Sequence, residues 1–322
     1  MLLPRFVAGA FVVATMALGT GVVSGQNYPN KPIRIVTSAA GGGADFVSRL
    51  IAQGLTGSLG QQVIVDNRAA GIMSIETVAK APPDGYSLVL NSSTIWILPL
   101  LRDNVPWDPV KDFAPITMAT SSPAVLVVHP SLPVKSVKQL IALAKARPGA
   151  LDYCTSGTGN TNHLAAELFK VLAGVDIVRI NYRSTSMALG DLIGGRVQLM
   201  FPNAAGVAGH VKSGKLRALA VTSVEPSALA PGLPTMAAAG LPGYESVSPY
   251  GIFAPARTPA AIIARLNQEI VRVLDQADLK KRLFNAGVEP VGNSPEQLAA
   301  MVKSEMHRWG KVIKDTGIRD QQ

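Results

Sequence analysis

A glycine-rich turn occurs twice in this sequence, each time between an apolar segment and an amphipathic segment. The first turn, Ala39–Asp45, follows the apolar run Ile33–Ser38. The second turn, Ser156–Thr161, follows the apolar run Leu151–Thr155. Short apolar runs favour buried strands, and the segments after the turns have the spacing of amphipathic helices. The sequence therefore predicts one strand–turn–helix unit in each half of the chain.

The two turns are candidate anion sites. Each turn exposes backbone N–H groups at the positive end of a helix, and such N–H groups bind anions readily. Because there is one turn in each half, we predict two lobes that close on a ligand with a negative group at each end. The alternative is that both turns are ordinary connections with only a structural role.

Residues 1–25 have the pattern of a cleaved signal peptide. Arg5 supplies a short positive region, Phe6–Leu18 is an apolar run, and Val23–Gly25 offers small residues for cleavage before Gln26. An uncleaved membrane anchor is the alternative, and it is disfavoured because the apolar run is short and interrupted by glycine. The sequence predicts an exported protein located in the periplasm.

Length and charge narrow the class of protein further. A chain of 322 residues suits two domains better than one core. The formal net charge is +9, of which Arg5 contributes one, so the chain from residue 26 carries +8. A basic surface suits acidic ligands, anionic membranes or nucleic acids, but aromatic residues make up only 5% of the chain, which disfavours a nucleic-acid groove. The single cysteine, Cys154, excludes an internal disulfide.

Apolar periodicity alternates between strand and helix along the chain. It predicts strands at 33–38, 62–66, 87–91, 124–128, 151–155, 177–181, 197–201, 216–222 and 250–254. It predicts helices at 46–59, 75–81, 135–146, 162–173, 186–193, 204–212, 259–275, 279–285 and 295–314, and loops at 99–115 and 224–246. Ser294 is the predicted N-cap of the last helix. This alternation predicts an α/β fold with a mainly parallel sheet in each half.

The helix-rich end of the chain contains too little strand for a third α/β domain, so we expect it to pack on the first lobe. The chain then crosses between the lobes near Ser121–Ala124 and near Val247–Pro249. The predicted domains are lobe 1 at 26–123 plus 248–322 and lobe 2 at 124–247.

The sequence lacks the common catalytic and metal-binding arrangements. Its four histidines have no metal-ligand spacing, and no Gly-x-Ser-x-Gly nucleophile turn occurs. The run Gly209–Leu216 resembles a phosphate-binding P-loop but ends in Leu216, which cannot bind magnesium. Neither glycine turn has the dinucleotide-binding spacing. We therefore predict no catalytic residue, no metal and no cofactor.

A series of short segments carries a resemblance to a known family. They are Tyr28–Arg34, Gly41–Asp45, Asp66–Arg68, Pro83–Tyr86, Asp108–Phe113, His163–Leu164, Glu167–Phe169, Gly214–Val221 and Gly240–Glu245. In this order and spacing the chain resembles the substrate-binding proteins of the tripartite tricarboxylate transporter system, known as Bug receptors or the TctC family. The resemblance covers nearly all of the chain after the predicted signal peptide.

The resemblance implies a two-lobed periplasmic-binding-protein fold without catalysis. It implies a carboxylate in the cleft between the lobes, held between the two glycine turns by backbone N–H groups and bridging waters. Ser92 and Asn203, each at the end of a predicted strand, are added to the turn residues. The candidate substrate-binding residues are Ala39, Ala40, Gly42, Gly43, Ala44, Asp45, Ser92, Ser156, Thr158, Gly159, Asn160, Thr161 and Asn203.

Two features bear on the type of ligand. Pro202 stands where the family has Asp, which removes a carboxylate from the cleft edge. Pro202, together with Ile95, Trp96 and Ile97, is predicted to form an apolar wall beside a dicarboxylate with an aliphatic or aromatic spacer; the alternative is that these four are core residues. Asp45 either accepts a hydrogen bond from the ligand or caps the helix after Ala44.

We predict an extracytoplasmic receptor that captures a small organic acid by lobe closure and delivers it to transporter subunits in the membrane. The chain is expected to act as a monomer and not to bind nucleic acid. One alternative is a sensory ligand-binding protein that feeds a signalling partner, which needs the same closure. The other is an exported enzyme using the same cleft, which needs a base paired with a nucleophile.

Overall fold

The computed structural model describes residues 28–68, 71–156 and 160–318, and the predicted signal peptide lies outside them. Within these residues the chain forms two β-sheets flanked by helices. The strands are β1 (Ile33–Thr37), β2 (Val63–Asn67), β3 (Ser87–Ser92), β4 (Phe113–Pro123), β5 (Val125–Val128), β6 (Asp152–Ser156), β7 (Val178–Tyr182), β8 (Leu199–Met200), β9 (Arg217–Val221), β10 (Val247–Pro255) and β11 (Glu289–Pro290). The helices are α1 (Gly43–Leu59), α2 (Gly71–Ala79), α3 (Thr94–Leu101), α4 (Val137–Ala146), α5 (Thr161–Ala173), α6 (Thr185–Ile193), α7 (Ala204–Lys212), α8 (Ala260–Leu274), α9 (Ala277–Asn285) and α10 (Pro295–Thr316).

Each sheet forms the centre of one lobe. The first sheet has the strand order β11-β4-β10-β3-β1-β2, and the second has the order β7-β6-β8-β5-β9. Both sheets are mixed: β1 is parallel to β2 and β3, and β6 is parallel to β7 and β8. In contrast, β10 is antiparallel to β3 and β4, and β5 is antiparallel to β8 and β9.

The predicted α/β fold with one sheet flanked by helices in each half is confirmed, but the sheets are mixed and not mainly parallel. The physical reason is that the chain passes between the lobes twice. β4 leads out of the first lobe directly into β5, and β10 leads back from the second lobe. A strand that enters a lobe from the gap between the sheets runs against the strands that end at that gap, so β5 and β10 are antiparallel to their neighbours.

The end of the chain packs on the first sheet. β11 pairs with β4, and α8 lies against α1 and β4. One face of the sheet forms a core in which Ile33 and Ile35 of β1 meet Val47 and Ile51 of α1 and Leu266 of α8. The opposite face carries α10, which also contacts α5 of the second lobe. The residue limits of the two lobes remain a prediction.

Helix α3 and strand β4 take up only the two ends of the predicted loop at 99–115, and residues 102–112 contain no helix or strand. Pro99 lies inside α3 and cannot donate the hydrogen bond that a helical residue makes to the carbonyl four positions earlier. That carbonyl belongs to Ile95, and it accepts a hydrogen bond of 2.7 Å from Nε1 of Trp107. The Trp107 side chain thus satisfies the acceptor that proline leaves unused, and the apolar helix remains buried.

Most other elements lie within a few residues of their predicted positions. Helix α7 has the predicted bounds, and residues 224–246 contain no helix or strand. Ser294 caps α10 as predicted, in a reciprocal capping box with Gln297.

The second lobe contains a buried polar cluster on α5. His163 is 2% exposed and Glu167 is 5% exposed. Glu167 accepts a hydrogen bond from the Tyr153 hydroxyl and pairs with Lys170 at 3.2 Å. Its carboxylate lies 3.9 Å from Nε2 of His163, which is too long for a hydrogen bond. Burial, with the positive charges of Arg179 and Lys170, lowers the pKa of His163 to about 3, so the ring stays neutral at physiological pH.

This burial predicts an acid-sensitive core. The unfolded chain takes up a proton on His163 near its ordinary pKa of 6.5, whereas the folded chain does so only near pH 3. The contribution of His163 to the free energy of unfolding is fully present above pH 6.5 and is lost as the pH drops towards 3. The loss at pH 5 is about 2 kcal/mol. We expect His163→Gln to flatten the decline of Tm between pH 7 and pH 5. The matched control is His307→Gln at an exposed position; equal slopes in wild type and His163→Gln would contradict the prediction.

Candidate functional site

Four helices begin at one cavity between the two sheets. The cavity has a volume of about 380 Å³ and is lined by Gly43 of α1, Asn162 of α5, Thr185 of α6 and Ala205 of α7. In each case the helix follows the carboxyl end of a strand, as α/β folds place their ligand sites. The volume is in the range of small-molecule sites.

The beginnings of these four helices differ in how their N–H groups are used. The side chains of Asn160 and Ser184 cap α5 and α6 by accepting from the N–H groups of His163 and Met187. Helices α1 and α7 have Gly42 and Asn203 at the N-cap, and neither makes a side-chain cap hydrogen bond. The first-turn N–H groups of α1 and α7 are therefore not used by a cap. They come from different lobes and line the same cavity.

The electrostatics of the cavity come from the backbone. Its described lining contains no Asp, Glu, Lys or Arg side chain. The positive ends of the helix dipoles thus face the cavity, and the described lining supplies no carboxylate; that of Asp45 lies in the first turn of α1 but outside the lining. An acid placed here would meet N–H and hydroxyl donors and no negative side chain of the described lining.

Asp45 stabilises the first turn from within. It is 5% exposed, and its carboxylate accepts from the Gly41 N–H at 2.9 Å, Nδ2 of Asn67 at 2.9 Å and Nε of Arg49 at 2.9 Å. Burial raises the pKa of this carboxyl, but these three donors lower it more, and the pKa lies below its ordinary value. Of the two roles predicted for Asp45, the capping of the helix is wrong, because the N-cap is Gly42, and the contact with the ligand stays a prediction.

The other predicted site residues lie at the first turn and the end of β3, or at the second turn and the start of α7. In the first turn, Ala39, Ala40, Gly42 and Gly43 are exposed, while the side chain of Ala44 is buried against the sheet. Ser92 hydrogen-bonds to Thr94 at 2.9 Å beside the end of β3.

In the second turn, Ser156 hydrogen-bonds to Thr185 at 2.9 Å, and Thr161 is half-buried at the start of α5. Thr158 and Gly159 lie outside the described residues. Asn203 is exposed and, like Gly43, lines the cavity.

The apolar wall differs from the prediction. Pro202 lines the cavity, and Leu189 and Val288 line it as well. Ile95, Trp96 and Ile97 are at most 3% exposed and belong to the core, because α3 packs beneath α10. Those three residues were wrongly placed in the wall, and the alternative reading of them as core residues is correct.

The crossover strands and the turn after α9 supply lining that was not predicted from the sequence. Ser122 of β4 and Ser248 and Tyr250 of β10 line the cavity, as does the segment Ala286–Val288. Gly287 has φ +75°, and a Cβ there would lie 2.2 Å from Cβ of Ala205 in α7. The sequence signals only a glycine here, which is typical of a turn but does not indicate which lobe the turn touches.

Comparisons with known proteins agree with this architecture. The sequence model of the "Tripartite tricarboxylate transporter family receptor" (TctC) matches residues 47–318. Protein BugT of Bordetella pertussis is 36% identical over 321 residues, covering 97% of each chain. The structure of R. palustris Rpa4515 with adipate is 36% identical at a TM-score of 0.73, covering 91% of this chain and 99% of that chain. MatC (Rpa3494) from Rhodopseudomonas palustris with bound malate is 30% identical at a TM-score of 0.69, covering 89% of this chain and 100% of that chain.

The close approach of α1 to the crossover strand predicts a specific effect of bulk at Gly43. A Cβ at this position would lie 2.6 Å from the Tyr250 hydroxyl, so valine forces that side chain out of place and fills the cavity edge. We expect Gly43→Val to weaken carboxylate binding at least tenfold, about 1.4 kcal/mol, by calorimetry. Gly57→Val in the same helix, where nothing lies within 4 Å of the added Cβ, is the matched control. Unchanged affinity in a folded Gly43→Val variant would make the first turn purely structural.

Proposed function

Because the chain belongs to the TctC family of tripartite tricarboxylate transporter receptors, we propose that it is a periplasmic receptor that binds a small dicarboxylate between its lobes and presents it to a transporter. The family is one of solute-binding receptors. The observation that carries the proposal is the cavity where four helices begin and no charged side chain lines the described wall.

A two-ended ligand is supported by the positions of the uncapped helices. α1 belongs to the first lobe and α7 to the second, and each offers first-turn N–H groups to the same cavity. A ligand with one carboxylate at each helix end accepts from N–H donors of both lobes at once. The ligand therefore binds the closed arrangement more tightly than the open one and favours closure. Two relatives were solved with adipate and with malate, and both of these ligands are dicarboxylates.

The spacer between the carboxylates meets apolar surface. Leu189, Pro202 and Val288 line the same cavity. Because apolar groups gain free energy when they leave water, these residues favour a ligand with methylene or ring carbons between its acid groups. The same wall disfavours ligands with many hydroxyl groups, whose hydrogen bonds to water would be lost without replacement.

The remaining parts of the proposal concern location and partners. Receptors of this family are periplasmic, and the signal-peptide pattern at 1–25 supports export of this chain. In residues 28–68, 71–156 and 160–318 no helix combines the length and apolar character needed to cross a membrane. We propose that the protein acts as a monomer, without catalysis, on membrane subunits of a tripartite transporter. A sensory role with the same ligand remains the second candidate.

The ligand class is tested by blocking one end of the ligand. We expect an unbranched dicarboxylate, such as adipate, to bind more tightly than its monoamide by at least tenfold, because the amide removes the charge that one helix end stabilises. A thermal-shift screen of mono-, di- and tricarboxylates selects the ligand, since binding to the native state raises Tm. Calorimetry then compares the diacid with its monoamide.

A further compound separates the effect of the second charge from the effect of apolar contact. The monocarboxylate of the same carbon length serves as the control for apolar contact alone. Equal affinities for diacid, monoamide and monocarboxylate would contradict the two-ended proposal and leave a monocarboxylate receptor. Tighter binding of a tricarboxylate than of every dicarboxylate would change the substrate class to tricarboxylates without changing the receptor function.

A further inference from the structure

Tyr250 is the aromatic residue of the crossover strand β10 that reaches the cavity. Its ring packs against the core on the α1 face of the first sheet, next to the positions of Ile252 and Ala254. It pairs in register with Ser92 of β3 and Thr120 of β4, so its backbone is fixed from both sides. The side chain therefore has little freedom except at its hydroxyl end.

The hydroxyl lies at the beginning of α1. A Cβ built on Gly43 would be 2.6 Å from the oxygen and 3.4 Å from the ring carbon that carries it. Only glycine lets the helix backbone come this close to the ring. The first-turn N–H groups of the uncapped helix and the phenol thus face the same part of the cavity.

The hydroxyl has no hydrogen-bond partner among the described residues of the protein, unlike those of Tyr28, Tyr86, Tyr153, Tyr182 and Tyr244. Burial alone raises the pKa of Tyr250, so the phenol is protonated and able to donate at physiological pH. A half-buried donor that faces a cavity costs free energy unless something in the cavity accepts from it.

We propose that Tyr250 is a specificity-determining residue that donates a hydrogen bond to the ligand carboxylate bound at the start of α1. This inference rests on the proposed function. It gives the ligand carboxylate that binds at the first lobe a side-chain donor in addition to the backbone N–H groups. Since Tyr250 is part of the strand that joins the lobes, the carboxylate contacts the first lobe and the crossover together.

The test is Tyr250→Phe in the full mature chain. The probe is the tightest binder among the unbranched dicarboxylates from malonate to suberate, measured by calorimetry. We expect the variant to weaken binding of this diacid about 10- to 100-fold, as for loss of a hydrogen bond to a charged group. The Tm of the ligand-free variant should stay close to wild type, because the hydroxyl makes no hydrogen bond to the described protein residues.

Two further measurements separate ligand contact from a structural role. Tyr86→Phe removes a hydroxyl that hydrogen-bonds to Asn30 on the surface of the same lobe, and it should leave the affinity unchanged. Gly43→Ala should weaken binding less in the Tyr250→Phe background than alone, because the nearest atom is then a ring carbon at 3.4 Å. An additive double-mutant cycle would overturn the assigned contact between these residues.

The outcomes distinguish this inference from the function on which it rests. Tight binding of the diacid by wild type with equal affinity in Tyr250→Phe overturns the role of Tyr250 and leaves the receptor function in place. Binding of none of the dicarboxylates by wild type overturns the proposed substrate class, and the role of Tyr250 falls with it.

Discussion

The antiparallel pairing of β4 with β10 is the interaction on which the rest of the structure depends. Among the described residues these are the two longest strands, with 11 and 9 residues. Their pairing runs from Val247 opposite Pro123 to Pro255 opposite Phe113. One strand takes the chain out of the first lobe and the other returns it. Because both are built into the first sheet, the second lobe is held at a fixed edge of that sheet, where the parallel strands end and the helices begin.

The same topology explains how the proposed site can bind an anion without charged walls. Helices that follow parallel strands present their N-termini at one edge of a sheet, and two such edges face each other here. A single helix end contributes about 0.3–1 kcal/mol when exposed and up to about 2 kcal/mol when partly buried. Closure around a ligand removes water and raises the local effect of each dipole. In the proposed site, several weak fixed dipoles thus favour acids at little desolvation cost to the unliganded protein.

The glycine turns were predictable because they combine two local signals, strand-like apolar runs and glycine before an amphipathic helix. Strand β4 was not, since its sequence contains Pro115 and Pro123 among small polar residues. Pro115 is accommodated where the register with β10 shifts between Ile252 and Phe253, which is the kind of irregularity that admits proline within a sheet. Helix α3 was missed for a related reason: its continuous apolar run has no helical period and contains Pro99. In the structure, Trp107 supplies from outside the helix the donor that this proline lacks.

The long-range part of the site was beyond the reach of local sequence patterns. Tyr250 lies more than 200 positions after Gly43, and nothing in the alternation of β10 indicates that the ring ends at the start of α1. The contact of Gly287 with Ala205 is similar, because it joins the end of the chain to a helix of the other lobe. The Ser122 hydroxyl donates to the Gly287 carbonyl at 2.8 Å, and the Ser227 hydroxyl donates to Glu289 at 2.7 Å. These hydrogen bonds connect the segment after α9 to both the crossover strand and the second lobe. They fix the position of Val288 in the cavity wall.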